Sequence, residues 1–136
     1  MKKIYKYWLP VILWMGVIFS FSAFPTTKAD GIYWVDFVIK KTAHIVEYVF
    51  LTLLSYRALR AYGVKNKNAA AWAILFSIFY GASDEFHQSF TPGREPRVRD
   101  VFFDTIGSLL AIYATWNWVE KFPKLKSLAI KYEIIK

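Results

Sequence analysis

The sequence predicts an all-α membrane protein that crosses the bilayer four times. Three observations carry that expectation. Four apolar stretches approach the length of a membrane span, Lys and Arg gather in alternate connections, and 56% hydrophobic with 20% aromatic residues exceeds the usual soluble balance. A chain of 136 residues is one domain at most, so we treat residues 1–136 as a single membrane domain. Cysteine is absent, which excludes disulfides, thiolate metal sites and a Cys nucleophile, and leaves His, Asp and Glu as candidate ligands.

The predicted spans cover residues 8–24, 43–59, 69–86 and 101–119. Crossing a hydrocarbon core takes about 20 mostly apolar residues, and tilt or local thinning accommodates slightly shorter ones. The first stretch also resembles a secretion signal, with MKKIYKYW as a basic lead and VILWMGVIFSFSA as an apolar core. Because the later stretches are equally apolar, it reads as an uncleaved first span.

Orientation follows from charge. Lys2, Lys3 and Lys6 precede the first span, and Arg57, Arg60, Lys65 and Lys67 join the second to the third. Lys121, Lys124, Lys126, Lys131 and Lys136 follow the fourth. With four spans these share one side, and the bias of Lys and Arg toward the cytoplasm puts both termini there. The net charge of +8 is thus a topology signal and a contact for anionic lipid, and it calls for no nucleic acid. The tail from residue 120 to 136 mixes lysines with apolar residues and is expected to form an interfacial helix or a solvated end. The segment 24–39 reads as an outer loop whose Tyr33, Trp34 and Phe37 suit the headgroup layer, with Trp8, Trp14, Trp34, Trp116 and Trp118 as belt or packing residues.

The segment GASDEFHQSFTPGREPRVRD interrupts this apolar chain with acids, His, Gln and Arg. At about 100° per residue, Lys41, His44 and Tyr48 share one helical stripe, with Glu47 beside His44. Asp84, His87 and Gln88 share another, with Glu85 at its edge, and Asp100, Asp104, Gly107 and Ala111 align on the fourth span. Charges within a bilayer cost on the order of 3 kcal/mol each at its centre, so these groups are expected to face one another, water or a ligand. Gly107, Ser108 and Ala111 would let the fourth span approach its neighbours.

K-x-x-H-x-x-E-Y at Lys41–Tyr48, D-E-x-H-Q at Asp84–Gln88, F-x-P-G-R at Phe90–Arg94 and D-x-x-x-D-x-x-G at Asp100–Gly107 together resemble the VanZ-like family. The resemblance spans about residues 41–111. These are small bacterial membrane proteins whose name-giving member is associated with resistance to the glycopeptide teicoplanin. The chain departs from the pattern at Glu95-Pro96-Arg97, where a Gly/Ser-rich stretch is expected, and at Ala111, where a Gly is expected. The resemblance implies a multi-pass protein of the bacterial cytoplasmic membrane, without specifying a reaction.

Three readings of the polar stripes remain open. Lys41, Arg94, Arg97 and Arg99, aided by His44 and His87, would bind a phosphate or carboxylate of an anionic lipid or lipid-linked cell-wall precursor. Asp84, Glu85, Asp100 and Asp104 would orient those cations, with Glu47 and Gln88 completing the binding set. Alternatively, His44 with Glu47 and Asp84 with His87, each pair at i, i+3, would hold a divalent metal for a hydrolase or transferase acting on envelope lipids. Glu85 and His87 are then the catalytic candidates, and Arg94 would stabilise an anionic transition state. In the third reading the charges only hold helices in register, without ligand. Membrane lipids are the expected partners, and self-association stays open.

Overall fold

The computed structural model describes residues 2–23, 33–92, 98–119 and 121–135. It contains five helices: α1 (Lys2–Ala23), α2 (Tyr33–Ala61), α3 (Asn66–Gln88), α4 (Val98–Asn117) and α5 (Pro123–Lys131). No strand occurs among the described residues. The all-α expectation therefore holds, and each predicted apolar stretch lies in one of the first four helices, give or take a residue or two at the C-terminal ends of the first and last.

α2 begins well before residue 43, so the aromatic half of the expected outer loop is helical. Packing explains this extension. The Phe37 ring sits edge-on to Trp34 and to Phe103 of α4, at 6.3 Å from each. Those contacts give the additional turns a partner that the isolated segment lacks. At its other end α2 stops at Gly63, whose left-handed φ of 86° lets the chain reverse while Val64 N–H returns to the Leu59 carbonyl. Arg60 closes the same turn by donating to the Val64 carbonyl at 2.6 Å.

α2, α3 and α4 pack on one another, and α1 lies against α2 and more lightly against α3. The buried faces are built from small residues: Ala69, Ala70, Ala73, Ser77 and Gly81 on α3, and Gly107, Ser108 and Ala111 on α4. Thr52 and Ser77 share a buried hydrogen bond of 2.9 Å where α2 meets α3. Small residues bring helix backbones close and let such hydroxyls pair across the seam.

The distribution of polarity is inverted relative to a soluble bundle. Asp104 is 1% exposed, whereas Phe79 is 74% exposed, and Leu13, Trp72, Phe86 and Phe102 also face outward. Soluble proteins bury such rings and leave carboxylates in water. By length and hydropathy, α1 is the only described helix that qualifies outright as a membrane span. α2 to α4 carry the charges, hydroxyls and aromatic rings that lower their mean hydropathy.

The tail is docked rather than free. Glu133, in a left-handed backbone with φ of 58°, accepts hydrogen bonds of 2.7 Å from both Lys6 and Tyr7 of α1 and lies 3.6 Å from Arg57 of α2. Ile134 packs against the Tyr56, Ala69 and Ile112 cluster. The Lys6 hydrogen bond, followed by that of Tyr7, holds the Glu133 carboxyl below its usual pKa. A depressed carboxylate contributes to docking above the ordinary Glu value of about 4.3, and the contribution fades as pH falls through the lower docked value. Glu133→Gln is therefore expected to speed amide hydrogen exchange of α5 at pH 7, and the wild type to loosen only below about pH 4. Equal protection in both proteins at pH 7 would remove Glu133 as the latch.

Candidate functional site

The stripes predicted on three helices meet in one polar cluster. From α2 come Lys41, His44, Glu47 and Tyr48, from α3 Gly81, Asp84, Glu85 and Gln88, and from α4 Asp100 and Asp104. Two cross-helix pairs join α2 to α4. Lys41 Nζ donates to Asp100 Oδ1, and His44 Nδ1 lies 2.9 Å from Asp104 Oδ1. Their spacing of one helical turn on each partner is what lets both pairs form along a single seam.

Lys41 is further enclosed by the rings of Phe37 and Phe103, each 5.6 Å from Nζ. Arg99 also lies over the Phe37 ring, 5.1 Å from its centroid. The ring faces carry negative charge density and stabilise both cations. Lys41 is thus already engaged by Asp100 and two aromatic rings.

On α3, Gln88 Nε2 donates to Asp84 Oδ2 at 2.8 Å, one turn apart on the buried face. Among the described residues, Asp84 Oδ1 is buried without a hydrogen-bond partner, as is the Tyr48 hydroxyl. Gly81 makes room for both neighbours. A Cβ there would lie 2.9 Å from Asp104 Oδ2 and 3.3 Å from the Tyr48 hydroxyl.

A cavity of about 400 Å³ opens beside this cluster between α1, α2 and α3. Trp14, Ile18 and Phe21 of α1 form its apolar wall. His44, Glu47, Asp84 and Gln88 form its polar floor, and Lys40 and Ala43 lie along α2. The wall is pinned by Trp14 Nε1 donating to the Glu47 carbonyl at 2.8 Å and by the Tyr80 hydroxyl donating to the Met15 carbonyl at 2.6 Å.

Of the residues expected to hold a metal, His44, Glu47 and Asp84 border this cavity. His87 points elsewhere, its ring 4.3 Å from that of Phe19 on α1. Glu85 instead joins His44 and Asp100, each offering a ligand atom within 4.8 Å of the others. Arg94 and Arg97, expected to supply the anion's partners, lie outside the described residues. Within the described cluster Glu47, Asp84, Glu85, Asp100 and Asp104 outnumber the fixed cations Lys40 and Lys41.

The sequence reading missed the share of α1. Trp14, Ile18, Phe21 and Ser22 recur at i, i+4, i+7 and i+8, a single face that would have marked the helix as a wall. Gly81 was also overlooked as a site residue. A small residue one turn before a buried acid is the signal that was there to find.

The family model for VanZ/LLP1 matches residues 7–119, which takes in α1 to α4 almost entirely. No curated protein and no solved structure matches the chain. With the match covering well over half of its length, the chain belongs to the VanZ/LLP1 family, a family of membrane proteins.

Proposed function

We propose that this is a four-span protein of the bacterial cytoplasmic membrane, with both termini inside, that binds the phosphate-bearing headgroup of an envelope lipid or lipid-linked precursor. Through that binding it contributes to glycopeptide resistance of the teicoplanin type. The four-span reading is supported by the outward-facing Leu13, Phe50, Phe79 and Phe102, one on each of the four long helices. Carboxylates sealed inside and rings outside is what a lipid solvent favours.

The single observation that carries the binding reading is the cavity's two-sided lining. An apolar wall from α1 suits an acyl or prenyl chain, and the floor of His44, Asp84 and Gln88 suits a polar head. Lys40, which lines the cavity, supplies positive charge for a phosphate. The fold and the family support a lipid-facing role, and the headgroup chemistry is our reading of the side chains.

Native mass spectrometry of the gently solubilised protein tests it. A phosphorylated lipid is expected to co-purify, and Ala43→Trp, which fills the cavity without removing a charge, is expected to cut retention at least tenfold. A folded Ala43→Trp protein that retains lipid like the wild type would end this reading.

A further inference from the structure

We propose that His44, Glu85 and Asp100 hold a divalent transition-metal ion, of the Mn²⁺ or Zn²⁺ class, where α2, α3 and α4 meet. One ligand atom from each lies within 4.8 Å of the other two. An ion with bonds of about 2.0–2.6 Å gathers donors at such spacings. The three come from three helices, so the ion would bind only the assembled bundle.

A second, independent observation points to a ligand beside His44. Asp84 is 5% exposed and lines the cavity beside His44, and Gln88 occupies only its Oδ2. Its Oδ1 is buried with no hydrogen-bond partner among the described residues, and so is the hydroxyl of Tyr48, one turn along α2 from His44. A carboxylate oxygen away from water and without a donor is costly. A cation beside His44, or water carried on it, is the kind of partner that the Asp84 oxygen lacks.

The chemistry of the donors agrees. His44 Nδ1 lies 2.9 Å from Asp104 Oδ1, so a proton held on Nδ1 between them would leave Nε2 to face an ion. A carboxylate behind a ligating histidine fixes its tautomer and raises its basicity. One imidazole with two carboxylates suits Mn²⁺ or Zn²⁺ better than an alkali ion. Two positive charges would also add to Lys41 in countering Asp100. Three protein ligands leave coordination positions open. On the headgroup reading above, one of these takes a phosphate oxygen, so the ion bridges an anionic head to an acidic floor. The ion site itself does not depend on that reading.

The test uses the full chain, stripped of metal, in a phosphate-free uncharged detergent, titrated with Mn²⁺ and followed by electron paramagnetic resonance. One Mn²⁺ per chain is expected, displaced by Zn²⁺. His44→Gln and Glu85→Gln are each expected to weaken binding at least tenfold, and Asp104→Asn, behind the ligand, by about 10–100-fold. No stoichiometric uptake by the wild type overturns the proposal without recourse to any variant. Undiminished affinity in folded His44→Gln and Glu85→Gln proteins overturns it too. A second arm adds a polyprenyl phosphate. Mn²⁺ uptake with lipid retention that a chelator does not alter upholds the ion site and removes only the bridge. Lipid retention by a protein that takes up no Mn²⁺ overturns the ion site and leaves the headgroup reading standing.

Discussion

Gly107→Ala is expected to be the most disruptive single-methyl change in this protein. A Cβ at Gly107 would fall inside the van der Waals surface of the Ile45 carbonyl oxygen, with the Ile45 carbonyl carbon and Cα both 3.1 Å away. These are backbone atoms of α2, so no side-chain rotation relieves the clash, and α2 and α4 must move apart. Overpacking typically costs about 1–3 kcal/mol, and a backbone clash belongs at the upper end of that range. Separation would also stretch both pairs on this seam, Lys41 with Asp100 and His44 with Asp104. The change should therefore lower the melting midpoint in detergent by about 10 °C, on the order of 2–4 °C per kcal/mol. It should weaken any ligand of the polar cluster in the same protein. At Gly81 a Cβ meets only side-chain atoms, Asp104 Oδ2 and the Tyr48 ring and hydroxyl, and no backbone. Gly81→Ala is thus expected to cost less in melting and to act mainly on the cluster. Equal melting of Gly107→Ala and wild type would mean that α2 and α4 are not held at this distance.

How much of this was legible beforehand divides along a physical line. Periodicity within one helix was readable: Lys41, His44 and Tyr48 share a face, as do Asp100, Asp104 and Gly107, and the structure turns those faces toward each other. Pairing between helices was not. That Lys41 meets Asp100 and His44 meets Asp104 depends on the axial register of α2 against α4, which Gly107 sets by admitting the Ile45 carbonyl. No single-helix pattern encodes that depth. The same limit explains the metal candidates. Spacing at i, i+3 suggested His87, yet its ring rests on Phe19, while Glu85, at the stripe's edge, reaches His44 and Asp100. The early start of α2 and the docking of Glu133 likewise rest on contacts with Phe103 and with Lys6 and Tyr7, far away in the chain.

Lys41→Met is expected to have the second large effect, and its sign depends on what else is present. The Lys41 and Asp100 side chains are 12% and 11% exposed, and Phe37 and Phe103 close round the ammonium. Methionine fills similar space, so little packing is lost. What remains is an ionised Asp100 without its countercharge, and breaking a buried pair from one side costs about 3–5 kcal/mol. Removing both charges, in Lys41→Met with Asp100→Asn, should recover most of that loss, because much of the penalty belongs to the abandoned carboxylate. Additive melting shifts across this cycle would show that the pair is not coupled. The ion site adds a further consequence. With Lys41 gone, Asp100 has no competing cation, so Mn²⁺ should bind Lys41→Met more tightly than wild type and restore more of its melting midpoint, by mass action on the folded state. The double variant lacks the Asp100 carboxylate and should gain little. Metal-dependent recovery in the single variant, absent from the double, would tie the stability of the α2–α4 seam to the occupancy of the site between α2, α3 and α4.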